Sequence, residues 1–131
     1  MDIRFGDGIS PGGHRHCLVV VDAGSRQCWC YGLRNLLGST IADTLLQLFV
    51  DMGTDFNNSP VRRFLCDFDT KLIRGQPCHL LNRKEIRILS SAPHRQSQNG
   101  LVESHWGVAV RMTRAYLQEA NLPQRFWFWT V

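Results

Sequence analysis

This chain of 131 residues lacks the sequence features of membrane, secreted and repeat proteins. No apolar run approaches the about 20 residues of a membrane-spanning helix, and the N-terminus has no apolar stretch suited to a signal peptide. Internal repeats and low-complexity tracts are also absent. We therefore expect one intracellular domain, spanning residues 1–131, without a membrane partner.

Cysteine is sparse, and its number is odd. The five cysteines fall largely within apolar runs, which is typical of free thiols in a reducing compartment. Cys28 and Cys30 are separated by one residue, as are His14 and His16, so neither pair has the C-x-x-C or H-x-x-x-H spacing of a zinc site. We therefore expect no structural zinc.

Acidic residues are outnumbered, with 11 against 15 lysines and arginines, and the net charge is +4. This balance is compatible with a polyanionic partner, although an ordinary basic surface would have the same charge. Composition alone therefore leaves the partner open.

Apolar periodicity predicts the element order β-β-β-α-β-(α)-β-α-α. The alternating "MDIRF", the continuous "CLVVVDA" and the segment "QCWCYGL" after a tight turn predict three strands, the last two forming a hairpin. The helix that follows has Ser39 or Thr40 as its expected N-cap. Its predicted buried positions are Ile41, Leu45, Leu48 and Phe49. The order indicates an α/β fold in which helices pack on a mixed sheet.

A long helix is predicted between residues 99 and 120, and "PQRFWFWTV" should begin another with proline in its first turn. The apolar face of the long helix comprises Val102, Trp106, Ala109, Val110, Thr113, Tyr116 and Leu117. Its tryptophan, like the aromatic residues at positions 126–129, could stack on nucleic-acid bases, but helical placement favours a core role. Because the chain ends within a predicted helix, we expect a fragment whose C-terminal helices are truncated.

Three acids occupy positions that could form a metal site. Asp2 lies in the first strand, Asp67 ends the fourth strand, and Glu103 opens the long helix. Carboxylates that meet at the rim of a sheet repel one another unless a cation such as Mg2+ or Mn2+ lies between them. Asp22 and Asp69 also lie at or just beyond strand ends, so spacing alone leaves them as alternatives.

The sequence around these acids resembles the catalytic core of copia-type retrotransposon integrases. Asp67 and Glu103 have 35 residues between them, the spacing of the last two acids in retroviral and retrotransposon integrases. "CDFDTKLIRG", "APHRQSQNGLVESHW" and "LPQRFW" are similar to the family's motifs and occur in the same order, and the first 33 residues resemble its first hairpin. The resemblance covers essentially the whole chain.

The resemblance implies a ribonuclease H-like fold, with a five-stranded mixed sheet flanked by helices. It implies a polynucleotidyl transferase that processes the 3′ ends of element DNA and joins them to target DNA. The metal ligands and catalytic residues would be Asp2, Asp67 and Glu103, which together would hold two Mg2+ or Mn2+ ions. Asp22 falls at a position where the family often has a non-catalytic acid. The zinc-binding and C-terminal DNA-binding domains of a full integrase are not in this chain.

Double-stranded DNA is the expected partner, and the full-length protein is expected to form a homo-oligomer in the nucleus or a cytoplasmic element particle. The residues predicted to contact nucleic acid are Lys71, Arg74, His94, Gln98, Asn99, Arg111 and Arg114. Basic residues around a carboxylate site suit a phosphate-backbone substrate. The alternatives are a catalytically silent nucleic-acid-binding relic with the same fold, and a nuclease of this fold that only hydrolyses.

Overall fold

The computed structural model describes residues 1–5, 8–53, 61–66, 70–90 and 100–129. The chain divides into two units, one formed by residue 1 with residues 36–99 and the other by residues 2–35 with residues 100–131. Each unit pairs a set of strands with helices, so the predicted α/β class agrees with the structure. Within the described part of the chain, no helix is both long and apolar enough to cross a membrane.

An antiparallel sheet opens the second unit. It consists of β1 (Asp2–Phe5), β2 (His16–Val21) and β3 (Cys28–Leu33), with β2 in the middle. The predicted β2–β3 hairpin is confirmed. The middle strand is buried continuously from residue 17 to residue 20, as its unbroken apolar run predicts for a strand covered on both faces.

Helix α4 (Gly100–Glu119) lies against β2 and completes the core of this unit. The core residues are Cys17, Val19, Val102, Leu117 and Trp127. Trp106 packs against this core, as its place on the predicted apolar face requires. The prediction that Tyr116 lies on the buried face of this helix is wrong, because the residue is 50% exposed. It precedes Leu117 by about 100° around the helix axis, which turns it toward solvent.

The last element is a 3-10 helix (Gln124–Trp129) rather than the expected α-helix. Phe126 N donates to the carbonyl of Pro123 at 3.0 Å, which is the tight i to i+3 turn of a short terminal segment. Trp127 is buried and donates from Nε1 to the carbonyl of Gly8 at 3.0 Å. The expected core role of these aromatics is confirmed for Phe126, Trp127 and Phe128, while the side chain of Trp129 lies outside the described part.

In the first unit, the described residues form two parallel strands and three helices. These elements are α1 (Gly38–Asp51), β4 (Arg63–Cys66), α2 (Thr70–Ile73), α3 (Gly75–Arg83) and β5 (Arg87–Ser90). All four predicted apolar positions of α1 are buried, and Phe49 meets Phe64 of β4 edge-on at a ring-centroid distance of 6.3 Å.

One expectation about this framework needs correction. Helix α1 begins at Gly38 with Leu37 as its N-cap and no capping side chain, so neither Ser39 nor Thr40 is the cap. Leu37 has the extended backbone of an N-cap residue, and a Cβ at Gly38 would lie 3.6 Å from Gln76 and Pro77, so α1 begins in contact distance of α3. The five predicted strands are present, and the described residues pair them as a three-stranded antiparallel sheet and a two-stranded parallel pair; a single five-stranded mixed sheet stays a prediction. The four-residue strands β4 and β5 hydrogen-bond to each other.

Candidate active site

Asp2 stands on the outer strand of the antiparallel sheet, opposite Val19 of the middle strand. Its side chain is only 10% exposed, which is unusual for an acid. Oδ1 accepts a hydrogen bond of 2.8 Å from the N–H of Ile3. This bond fixes the carboxylate relative to β1 and leaves Oδ2 directed toward another group.

Glu103 lies in the first turn of α4, as the sequence predicts. Its side chain is 46% exposed, so it retains contact with solvent. The unpaired N–H groups of a helix N-terminus favour a negative charge at this position. The helix therefore holds this carboxylate on a rigid backbone at an end that suits a negative charge.

Arg4 joins these two acids. Its Nη2 lies 2.6 Å from Oδ2 of Asp2 and 3.5 Å from Oε1 of Glu103, so one guanidinium nitrogen contacts both carboxylates. Arg4 was not predicted from the sequence to be a site residue, although a signal exists. Residues two apart in a strand project from the same face, so Arg4 accompanies Asp2.

The site thus contains two carboxylates against one permanent cation, and it keeps a net negative charge. Carboxylate oxygens are the donors that Mg2+ and Mn2+ take, and Arg4 demonstrates that a positive charge is accommodated between them. Asp2 and Glu103 therefore fit as two protein ligands of a divalent metal ion. The described residues contain no group of three or more His, Cys, Asp or Glu arranged to hold a metal.

Several predicted residues fall in segments beyond the structural description. They are Asp67, Asp69, His94, Gln98 and Asn99. The role of Asp67 as a third ligand, and that of the loop residues in DNA contact, remain predictions.

Asp22, the alternative to Asp2, has a different role in the structure. Its Oδ2 accepts hydrogen bonds of 2.7 Å from both the backbone N–H and the hydroxyl of Ser25. These bonds hold the pKa of the Asp22 carboxyl below its usual value. The carboxylate thereby caps the β2–β3 turn, in which Arg26 adopts a left-handed φ of 66°.

The predicted DNA-contacting cations that the structure describes are all exposed: Lys71, Arg74, Arg111 and Arg114. Arg111 follows Glu103 by eight residues on α4, with Gly107 midway between them. A Cβ at Gly107 would lie 3.6 Å from Nη1 of Arg111, so the guanidinium folds back along the helix toward the Glu103 end. The missing side chain at position 107 leaves that path open.

A cavity of about 380 Å³ lies between β3 and α4 in the same unit. Cys28, Cys30, His105 and Met112 are among its lining residues, and the two sulfur atoms are 3.9 Å apart. A hydrogen bond with Cys17, together with burial, raises the pKa of Cys30 to about 12. The hydrogen bond with Cys30 and burial also raise the pKa of Cys28. Both thiols are therefore protonated at neutral pH and are weak nucleophiles.

Known structures share this arrangement of strands and helices. The chain matches, with a TM-score of 0.75 and 18% identity, a chain of the simian T-cell lymphotropic virus intasome in complex with PP2A regulatory subunit B56 gamma. It also matches the HTLV-2 integrase catalytic core domain in complex with magnesium, in a trimeric form, with a TM-score of 0.63 and 17% identity. The catalytic core domain of BIV integrase matches with a TM-score of 0.64 and 14% identity.

The chain has the fold of a retroviral integrase catalytic core. The matches cover 99%, 86% and 90% of this chain, in the same order as above. They cover 46% of the simian virus chain, 71% of the HTLV-2 chain and 72% of the BIV chain. The present chain therefore spans just under half the length of the simian virus chain. No family model and no curated protein sequence matches it. At these identities the likeness concerns the fold, and the copia type stays a prediction from the sequence motifs.

Proposed function

We propose that this chain is the catalytic core of a copia-type retrotransposon integrase, a metal-dependent polynucleotidyl transferase. In this function it processes the 3′ ends of element DNA in the nucleus or an element particle and joins them to target DNA. The observation that carries the proposal is the convergence of Asp2 and Glu103 on one guanidinium nitrogen in a chain with an integrase-type fold.

The residues that would hold the metal ions are Asp2 and Glu103, joined by Asp67 as the sequence resemblance assigns. When bound, two divalent ions supply an activated water or 3′-hydroxyl and stabilise the leaving oxygen at phosphorus. The protein's own contribution is position. The Ile3 N–H fixes one oxygen of the buried Asp2 carboxylate, and α4 fixes the backbone of Glu103. Neither acid needs to act as a proton acceptor, so the site requires no histidine base.

Exposed cations would supply affinity for the DNA backbone without reading its sequence. Arg111 is the best placed of those described, because its guanidinium folds back toward the Glu103 end of α4. Arg114, Lys71 and Arg74 are exposed and would add to the same electrostatic attraction.

Two features of the structural relatives support the remaining parts of this proposal. One relative is a core domain solved with magnesium in a trimeric form, and another is an intasome chain. Mg2+ or Mn2+ as cofactor, double-stranded DNA as substrate and a homo-oligomeric full-length protein are therefore part of the proposed function.

The test is a joining assay with the purified chain, Mn2+, a duplex that mimics an element end, and a second duplex as target. We expect nicking and joining by the wild type, and loss of both in Asp2→Asn, Asp67→Asn and Glu103→Gln. Asp22→Asn is the matched control, because it removes the same charge from a strand-end acid that caps a turn. Equal activity in Glu103→Gln and wild type would refute the proposed site, and loss in Asp22→Asn alone would reassign the first ligand.

A second function is favoured by the contact between Arg4 and the two acids, since an arginine of the chain itself relieves their repulsion without metal. That function is DNA binding without catalysis, as in a silent relic of a mobile element. Metal-independent binding of the duplex without any nicking would support it. Nicking without joining to the second duplex would instead indicate a nuclease that only hydrolyses.

A further inference from the structure

Arg4 is held by electrostatic attraction more than by hydrogen-bond geometry. Within the described residues, its Nε and Nη2 are buried nitrogen atoms without a hydrogen-bond partner of good geometry, although Nη2 contacts both carboxylates. A guanidinium has five N–H donors that ordinarily match a carboxylate with two parallel bonds. The contacts of Arg4 thus offset part of the negative charge of the two acids while leaving part of the guanidinium's hydrogen-bonding capacity unused.

Nη2 of Arg4 lies between the two carboxylates, 2.6 Å from Oδ2 of Asp2 and 3.5 Å from Oε1 of Glu103. A metal ion that bonds both acids, at the about 2.0–2.1 Å that Mg2+ takes to carboxylate oxygens, would need the same space. Its double positive charge would also lie against the guanidinium, which never loses its own charge in proteins. A metal ion that bridges the two acids and Nη2 in its present position are therefore mutually exclusive.

We propose that Arg4 is a built-in occupant of the metal site, and that the first divalent ion binds by displacing its guanidinium from Asp2 and Glu103. The assignment of these acids as metal ligands rests on the proposed function. The consequence drawn from Arg4 is that the chain binds Mg2+ or Mn2+ more weakly than its carboxylates would allow. Without metal, the guanidinium prevents the repulsion of two nearby like charges.

The experiment is calorimetric titration of the metal-free full chain with Mn2+, without DNA. We expect Arg4→Gln to bind Mn2+ about 30-fold more tightly than wild type, because a charge-assisted contact worth about that factor in an equilibrium constant no longer has to be broken. The Mn2+ affinity of Arg4→Lys should lie between those of wild type and Arg4→Gln, since a lysine keeps the charge but lacks the planar guanidinium.

Arg15→Gln is the matched control, because Arg15 is an exposed arginine of the same unit and the substitution removes the same charge. It should bind Mn2+ as the wild type does. Glu103→Gln should lose most of its Mn2+ affinity, which locates the ion. Equal or weaker Mn2+ binding by Arg4→Gln, or absence of binding in both Arg4→Gln and wild type, would overturn the proposal.

A measurement on the wild type keeps the proposal testable if Arg4→Gln does not fold. The Nε–H resonance of Arg4 should shift saturably as Mg2+ is added, with the same midpoint as the heat of binding. A resonance that stays unchanged at saturating Mg2+ refutes the displacement. If Mg2+ displaces Arg4 but the chain does not join DNA, the displacement stands and the proposed function is refuted. If the chain joins DNA while the Arg4 resonance stays unchanged, the proposed function stands and the displacement is refuted.

Discussion

The contact of Arg4 with Asp2 should stabilise the folded chain much more than its contact with Glu103. The first pair is separated by 2.6 Å, and its side chains are 27% and 10% exposed. The second is separated by 3.5 Å, and Glu103 is nearly half exposed. A short, largely buried charge-assisted contact is worth about 2 kcal/mol, whereas an exposed ion pair is worth at most about 0.5 kcal/mol after solvent screening.

Two double-mutant cycles measure the two coupling free energies. They combine Arg4→Gln with Asp2→Asn in one cycle and with Glu103→Gln in the other, and unfolding is followed in urea with a metal chelator present. The amide substitutions preserve side-chain size, and Asp2→Asn retains a side-chain oxygen that can accept from the N–H of Ile3. We expect a coupling of about 2 kcal/mol in the first cycle and of less than about 0.5 kcal/mol in the second.

The reasoning would be refuted by a coupling to Glu103 equal to or larger than the coupling to Asp2. A cycle of Arg15→Gln with Asp2→Asn supplies the baseline, because an exposed arginine without a contact to Asp2 should show no coupling. The chelator matters because a bound metal would replace Arg4 and lower the first coupling toward this baseline.

Three further predictions concern the same unit. Gly32→Ala should lower the free energy of unfolding by about 1–3 kcal/mol, since a methyl group there would lie 2.5 Å from Cε2 of Phe128; an unchanged urea midpoint would contradict this packing. Hydrogen bonds with Ser25 hold the pKa of Asp22 below its usual value in the folded chain. Asp22 therefore contributes stability that is present above its pKa in the unfolded chain and is lost as the pH falls through its pKa in the folded chain. The difference in urea midpoint between wild type and Asp22→Asn should accordingly narrow on acidification. Arg111→Gln should weaken binding of a duplex uniformly across sequences and reduce the slope of log affinity against log salt by about 1; an unchanged slope would remove Arg111 from the interface.

Periodicity was sufficient to predict the elements that carry the site. The alternation of β1, the continuous apolar run of β2 and the helical spacing around Val102 and Leu117 each correspond to a strand or helix of the structure. These patterns succeed because burial of one face, or of both, is decided locally by side-chain polarity. They place Asp2 on a strand and Glu103 in a first helical turn, although they do not bring the two together.

The remaining features depend on contacts between distant parts of the chain. Helix α1 begins at Gly38, beside Gln76 and Pro77 of α3, and not after Ser39, which local sequence favours as a cap. Alternation places Arg4 on the face of Asp2, but its contact with Glu103 joins residues 99 positions apart. No local pattern encodes such a contact, since it requires the sheet and α4 to be packed first.

The contact of Arg4 with both acids changes what the presence of these acids can be taken to mean. Carboxylates that face one another without a cation would destabilise the folded chain, so in an ordinary metal site their persistence would itself indicate that metal binds. Here Arg4 supplies a positive charge, and the fold can keep both acids whether or not it ever holds Mg2+. The proposed transferase and the silent DNA-binding relic are therefore compatible with the same set of residues. The property that separates them is the free energy with which a divalent ion replaces Arg4. The Mn2+ affinity of the wild type measures it directly, and the difference from Arg4→Gln gives the part of it that is spent on breaking the Arg4 contacts.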